Sequence, residues 1–106
     1  MLISDGLLHP ASDRSNLEIL TNTTVTRINT RDRTALGVTC LLDNKPVEIR
    51  ARREVVLCAG AVNSPQLLQL SGIGPGPILQ AQGIRSVLEH PHVGQHLQDH
   101  LGISYF

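Results

Sequence analysis

Residues 54–72 read Glu54-Val55-Val56-Leu57-Cys58-Ala59-Gly60-Ala61-Val62-Asn63-Ser64-Pro65-Gln66-Leu67-Leu68-Gln69-Leu70-Ser71-Gly72. The run from Val55 to Cys58 is apolar without a polar face and closes on two small residues. A strand buried on both sides, as in a parallel sheet, has that pattern. A helix is expected to follow, with Ser64 capping its free amides and Pro65 at the first helical position, where a missing N–H costs nothing. Leu67, Leu68 and Leu70 supply its apolar side. Ser71-Gly72 ends it with a residue that accepts the left-handed conformation. In doubly wound α/β folds, ligands collect where a parallel strand ends and a helix begins. Ala59 and Gly60 stand at that corner with almost no side-chain bulk, so a cofactor could approach the backbone and meet the positive end of the helix. The same corner also reads as an ordinary turn in which Gly60 only makes the bend.

Upstream, the chain changes character. Thr24–Thr30, Gly37–Leu42 and Val47–Arg52 are short β-type runs separated by Arg31-Asp32-Arg33 and Asp43-Asn44-Lys45-Pro46. Three strands joined by tight polar turns predict an antiparallel meander. Leu17–Leu20 reads as a further short strand, and residues 1–16 as loop. Downstream, Gly74-Pro75-Gly76-Pro77 is a rigid connector to a short helix over Ile78–Gln82, and Ser86–Leu88 is a small strand. From His90 the chain reads as loop. The glycines from Gly72 to Gly76 follow a helix where a phosphate loop must follow a strand, so they mark a helix stop.

Composition narrows the function. The chain has 106 residues, 41% hydrophobic and 17% charged, with Lys+Arg 9 against Asp+Glu 9. That length fits one domain, expected to bury roughly 65% of its unfolded surface. A charge balance of zero argues against a nucleic-acid binder, which carries a basic excess. No apolar run reaches the roughly 20 residues that a membrane helix needs, and Met1–Asp5 lacks the basic and apolar regions of a signal peptide. Cys40 and Cys58 make no disulfide framework and are expected as free thiols. Tyr105 and Phe106 are the only aromatic rings, so no aromatic cage or stacking platform is available.

Three other features attract attention and lose it. His92, His96 and His100 are four apart, which on a continuous helix would form one imidazole face suited to zinc. Pro91 and Gly94 interrupt that span, and no thiol or second ligand cluster accompanies it, so no metal site is assigned. Asn22-Thr23-Thr24 is a formal glycosylation sequon, idle without an export signal. Arg50, Arg52 and Arg53 read as the solvated side of a strand and its end.

Gly60-Ala61-Val62-Asn63-Ser64-Pro65-Gln66-Leu67-Leu68-Gln69-Leu70-Ser71-Gly72-Ile73-Gly74 resembles, residue by residue, a signature of the glucose–methanol–choline (GMC) oxidoreductase family. The flanks agree in order: Asn16–Thr21, Val25–Ile28, Arg52–Gly60, and Val93-Gly94-Gln95-His96-Leu97-Gln98-Asp99-His100. In that last segment His96 stands where Asn is commoner. The resemblance covers roughly residues 9–103. It implies an α/β fold, namely part of a Rossmann-like FAD-binding domain with an inserted antiparallel meander. The meander would span about 23–53 and the signature strand and helix 54–74. All of 1–106 would then be one incomplete FAD-binding domain.

The same resemblance implies FAD as cofactor and a small-molecule alcohol as substrate, oxidised to a carbonyl with hydride passing to the flavin. Members of the family are several times longer than this chain. Their glycine-rich first strand and turn, and their substrate domain with its active-site His-His or His-Asn pair, are expected to have no counterpart in these residues. By matching position, Val25 resembles the residue whose backbone meets the adenine, and Ala59 and Gly60 the small pair beside the cofactor. No residue of this chain is expected to be catalytic, and no nucleic acid, membrane or metal partner is expected. Directly after Asp99-His100 the chain offers Leu101-Gly102, with neither carboxylate nor aromatic ring at those two positions for a quaternary ammonium, which speaks weakly against choline. The competing expectations are a non-catalytic remnant or small interaction protein without FAD, and a relative that keeps FAD for a non-redox reaction.

Overall fold

A computed structural model describes Gly6 and residues 8–102. After a short 3-10 turn at His9–Ala11, the first extended element is β1, Thr23–Arg31, followed by β2, Thr34–Leu42, and β3, Lys45–Arg50. They form one antiparallel sheet in the order β1-β2-β3. Both turns hold two residues at positive φ, Asp32 (50°) and Arg33 (64°), then Asp43 (50°) and Asn44 (62°). That backbone twist matches the right-handed twist of the strands and joins them without splaying. The expected meander is therefore present, with β1 and β2 longer than expected and β3 beginning and ending two residues earlier. β3 is an exposed edge, where Pro46 offers no N–H and Lys45, Glu48 and Arg50 discourage further pairing.

The register between β1 and β2 is irregular at Thr26, where Val25 faces Cys40 and Arg27 faces Thr39. The Thr26 hydroxyl donates to the Thr39 carbonyl at 3.2 Å, tying the extra residue back to its neighbour. Ile28 and Cys40 are buried beneath the sheet. Cys40 lies with its thiol 3.6 Å from the Val47 carbonyl. Both cysteines are free, Cys40 buried and Cys58 exposed.

The signature helix departs from expectation at its start. α1 spans Gly60–Leu70, with Ala59 as the residue before it and Pro65 inside. The first four amides of a helix have no carbonyl partner in any case, so the turn ahead of Pro65 winds freely. Pro65 costs one bond, to the Ala61 carbonyl. Ser64 does not cap the helix from outside. It sits within the helix, and its hydroxyl accepts a hydrogen bond from the Ala59 N–H at 3.1 Å. The end is as expected: Gly72 takes φ +85 and its N–H donates to the Gln69 carbonyl at 2.9 Å.

Two expected strands are not formed. Residues 54–58 run into α1 without pairing, and Val56 is 72% exposed. Leu17–Leu20 is likewise outside any strand and exposed. An apolar run becomes a buried strand only where a partner lies beside it, and no described residue supplies one. The parallel pairing that does occur joins β4, Ile73–Gly74, to β5, Leu88–Glu89. Between them lies α2, Gly76–Ala81, starting two residues and ending one residue earlier than expected, with its own Leu79 fully buried. The carboxylate of Glu89 accepts the Gly76 N–H at 3.0 Å.

The architecture is α/β, but its core is thin. Among the described residues the buried apolar side chains are Ile28, Cys40, Leu67, Pro75 and Leu79. The chain exposes 9316 Å², where a compact chain of its mass exposes roughly 5,800 Å². Its radius of gyration is 17.0 Å, against about 13 Å for a compact chain of that length. The expected burial is not reached, because the apolar surfaces of Val56, Val62, Leu97 and Leu101 meet nothing that covers them. No helix among the described residues is long and apolar enough to cross a membrane.

Candidate functional site

The meander and the signature helix meet along β1. Ile28 of β1 donates its backbone N–H to the Ser71 hydroxyl at 2.8 Å. That hydroxyl in turn donates to the Leu67 carbonyl at 2.6 Å. Beside this junction, the start of β1 and one side of α1 enclose a hollow of about 410 Å³. Thr23, Thr24 and Val25 form one wall; Ala59, Asn63, Gln66, Leu67 and Leu70 form the other. Val25 and Ala59, 34 positions apart in the chain, therefore line one hollow. Gly60 stands beside it as the first residue of α1 but is not among its lining residues.

The chemistry of the lining is neutral. Two Thr hydroxyls and the Asn63 and Gln66 carboxamides supply donors and acceptors, while Val25, Ala59, Leu67 and Leu70 supply apolar surface. No charged side chain takes part. Such a wall suits a flat uncharged ring with polar edges and does not suit a phosphate, which recruits Arg or Lys. Ala59 has no side chain that can cap α1, which leaves the positive end of the helix beside the hollow. At Gly60 an added Cβ would meet no protein atom within 4 Å. Space is open there on the protein side, and what demands glycine is φ +86, a conformation costly for any residue with a Cβ.

In the sequence Asn63 and Gln66 stand only within the family signature, though their i, i+3 spacing places them on one helix face. In the sequence Thr24 reads as the start of a strand, and Thr23 and Thr24 both belong to the sequon at Asn22. Ser71 reads there as part of the helix stop and of the family signature. Nothing local distinguishes these residues, since their role depends on which strand α1 packs against.

The remaining features do not line the hollow. His92 and His96 approach with ring centroids 5.7 Å apart, and His90 and His92 at 6.2 Å. His92 stands on a turn, and His90 and His96 lie outside helix, strand and turn. Among the described residues no three His, Cys, Asp or Glu side chains gather as a metal cage. Asn22 is exposed at φ 53. Arg50, Arg52 and Arg53 are all exposed. A larger open hollow of about 480 Å³ lies on the meander between Arg31, Glu48 and Arg50, and none of the expected site residues lines it.

Comparison with known proteins agrees with the family resemblance. The family model described as GMC oxidoreductase matches residues 3–102. Among curated relatives, the oxygen-dependent choline dehydrogenase of Burkholderia multivorans is 51% identical over 96 residues, 91% of this chain and 17% of the relative. That of Ectopseudomonas mendocina is 51% identical over 98 residues, with the same coverage. Among solved structures, pyridoxine 4-oxidase from Mesorbium loti superimposes with a TM-score of 0.79 at 35% identity, covering 83% of this chain and 17% of that one. An FAD-dependent oxidoreductase from Chaetomium thermophilum gives 0.74 at 35% identity, covering 78% and 15%. The chain thus spans about a sixth of the length of the relatives it matches.

Proposed function

The chain belongs to the GMC oxidoreductase family, whose cofactor is FAD, and from that premise we propose that it forms part of the cofactor-binding domain of an enzyme that oxidises a small alcohol. The observation that carries this reading is the neutral hollow between β1 and α1, in which Val25 and Ala59 share a lining with Asn63 and Gln66. In this reading the hollow holds the adenine end of the cofactor. Val25 presents its backbone to the ring edge, the two carboxamides complete the hydrogen bonding, and Leu67 and Leu70 exclude water from one face. Ala59 and Gly60 keep the path to the start of α1 free of side chains. When bound, FAD supplies the hydride acceptor for oxidation of the CH–OH carbon.

The described residues of this chain hold and orient the cofactor in this reading, and none of them is assigned to catalysis. The names of the curated relatives make choline the first substrate to test. No aromatic side chain lies among the described residues to receive a quaternary ammonium, so the choice among alcohols is assigned to residues elsewhere. The exposed apolar surfaces of Val56, Val62 and Leu97 favour a second reading, in which the chain by itself retains no flavin.

The deciding experiment is to purify the full-length protein containing this segment and record its visible absorbance, then assay choline and simple primary alcohols. Flavin bands with alcohol-dependent bleaching under anaerobic conditions are expected. A colourless protein that takes up no added FAD would remove the reading.

A further inference from the structure

We propose that Ser71 is a positioning residue for the cofactor hollow, its hydroxyl fixing the spacing between β1 and α1. The inference rests on the reading of that hollow given above.

Among the described residues Ser71 is the buried polar side chain, 1% exposed. Its hydroxyl both accepts and donates, accepting from the Ile28 N–H at 2.8 Å and donating its one proton to the Leu67 carbonyl at 2.6 Å. Both partners are backbone groups, one on each wall, and they are 39 positions apart in sequence. The bridge therefore registers the main chain of the strand against the main chain of the helix, whatever the surrounding side chains do.

The hydroxyl is not needed to end the helix. The Ser71 N–H already bonds the Leu67 and Leu68 carbonyls, and Gly72 bonds Gln69. What the hydroxyl adds is the link across to β1. Its position gives that link leverage over the hollow. Leu67, whose carbonyl it holds, is itself a lining residue, and Asn63 lies one turn earlier on the same face. Ile28 lies three residues beyond Val25, about 10 Å along the strand. Without the bridge, the Ile28 N–H is left buried without a partner and relaxes toward water, which moves the β1 wall.

A residue that merely holds the fold would change every flavin affinity together. A residue that sets this hollow changes only the affinity contributed by the adenine half. The test therefore compares FAD with FMN, which lacks the adenylate, on the apo form of the full-length protein by titration calorimetry. Wild type is expected to prefer FAD. Ser71→Ala should lose at least tenfold in FAD affinity with FMN affinity unchanged. Ser71→Cys keeps the side-chain shape and weakens both hydrogen bonds, so it serves where Ser71→Ala does not fold, and its FAD-to-FMN ratio should fall in the same direction. A folded variant whose ratio equals that of wild type overturns the proposal while the hollow keeps its assignment. A wild type without preference for FAD removes the hollow's assignment and this role together.

Discussion

At the scale of single residues, Ala59 and Gly60 part company although the sequence presents them as a pair. Ala59 has an ordinary backbone (φ −86) and lines the hollow. Gly60 is held by its φ of +86 and touches nothing where a Cβ would stand. Substituting them should separate occupancy from strain. Ala59→Leu adds bulk to the hollow without backbone cost, so FAD affinity of the full-length protein should fall at least tenfold while the apo form keeps its thermal midpoint. Gly60→Ala should cost about 1–2 kcal/mol by denaturant titration of the apo form, the cost of placing a Cβ at positive φ. A Gly60→Ala protein as stable as wild type would mean that the helix can start with a different backbone. Gly60→Val adds branching at the same strained position, and full-length protein carrying it is expected to retain no flavin.

Among the elements, the meander is specified locally and tolerates little at one point. Gly37 of β2 pairs with Arg50 of β3, and an added Cβ would run into the Ile49 carbonyl and the Arg50 Cα. Backbone atoms in a sheet cannot swing aside as a side-chain tip can. Gly37→Ala should therefore destabilise the protein by about 1–3 kcal/mol, the usual range for overpacking, seen as a lowered denaturant midpoint. An unchanged midpoint would show that the β2–β3 pairing can shift to admit the methyl. Helix α1 teaches the opposite lesson. Pro65 invited a helix start, yet the chain winds from Gly60, because the residues ahead of a proline need no N–H from it to form the first turn. A proline marks where a donor is missing and leaves open how far the helix extends ahead of it.

At the scale of the whole molecule, the governing fact is surface. A chain exposing 9316 Å² with a radius of gyration of 17.0 Å has left apolar area uncovered that should oppose unfolding. Complete domains hold only about 5–15 kcal/mol in reserve. Expressed alone, residues 1–106 should show no cooperative thermal transition, should bind a hydrophobic dye, and should bind FAD more weakly than micromolar. A sharp transition with micromolar FAD affinity would mean that these residues form a self-sufficient domain.

The sequence by itself determined whatever depends on neighbours in the chain. The hairpins follow from polar turn residues such as Asp43-Asn44, the end of α1 from Gly72, and the family from the order of residues between Gly60 and Gly74. Tertiary structure decided whatever needs a partner distant in sequence. Val55–Cys58 has the composition of a buried strand and stays unpaired, because pairing belongs to two segments and composition describes one. Thr23, Asn63 and Gln66 became lining residues only when α1 lay against β1, and Ser71 became more than a helix stop only when the Ile28 N–H came within 2.8 Å of it. A hydrogen bond across 43 residues leaves no local pattern, since each end looks the same whether or not the other arrives.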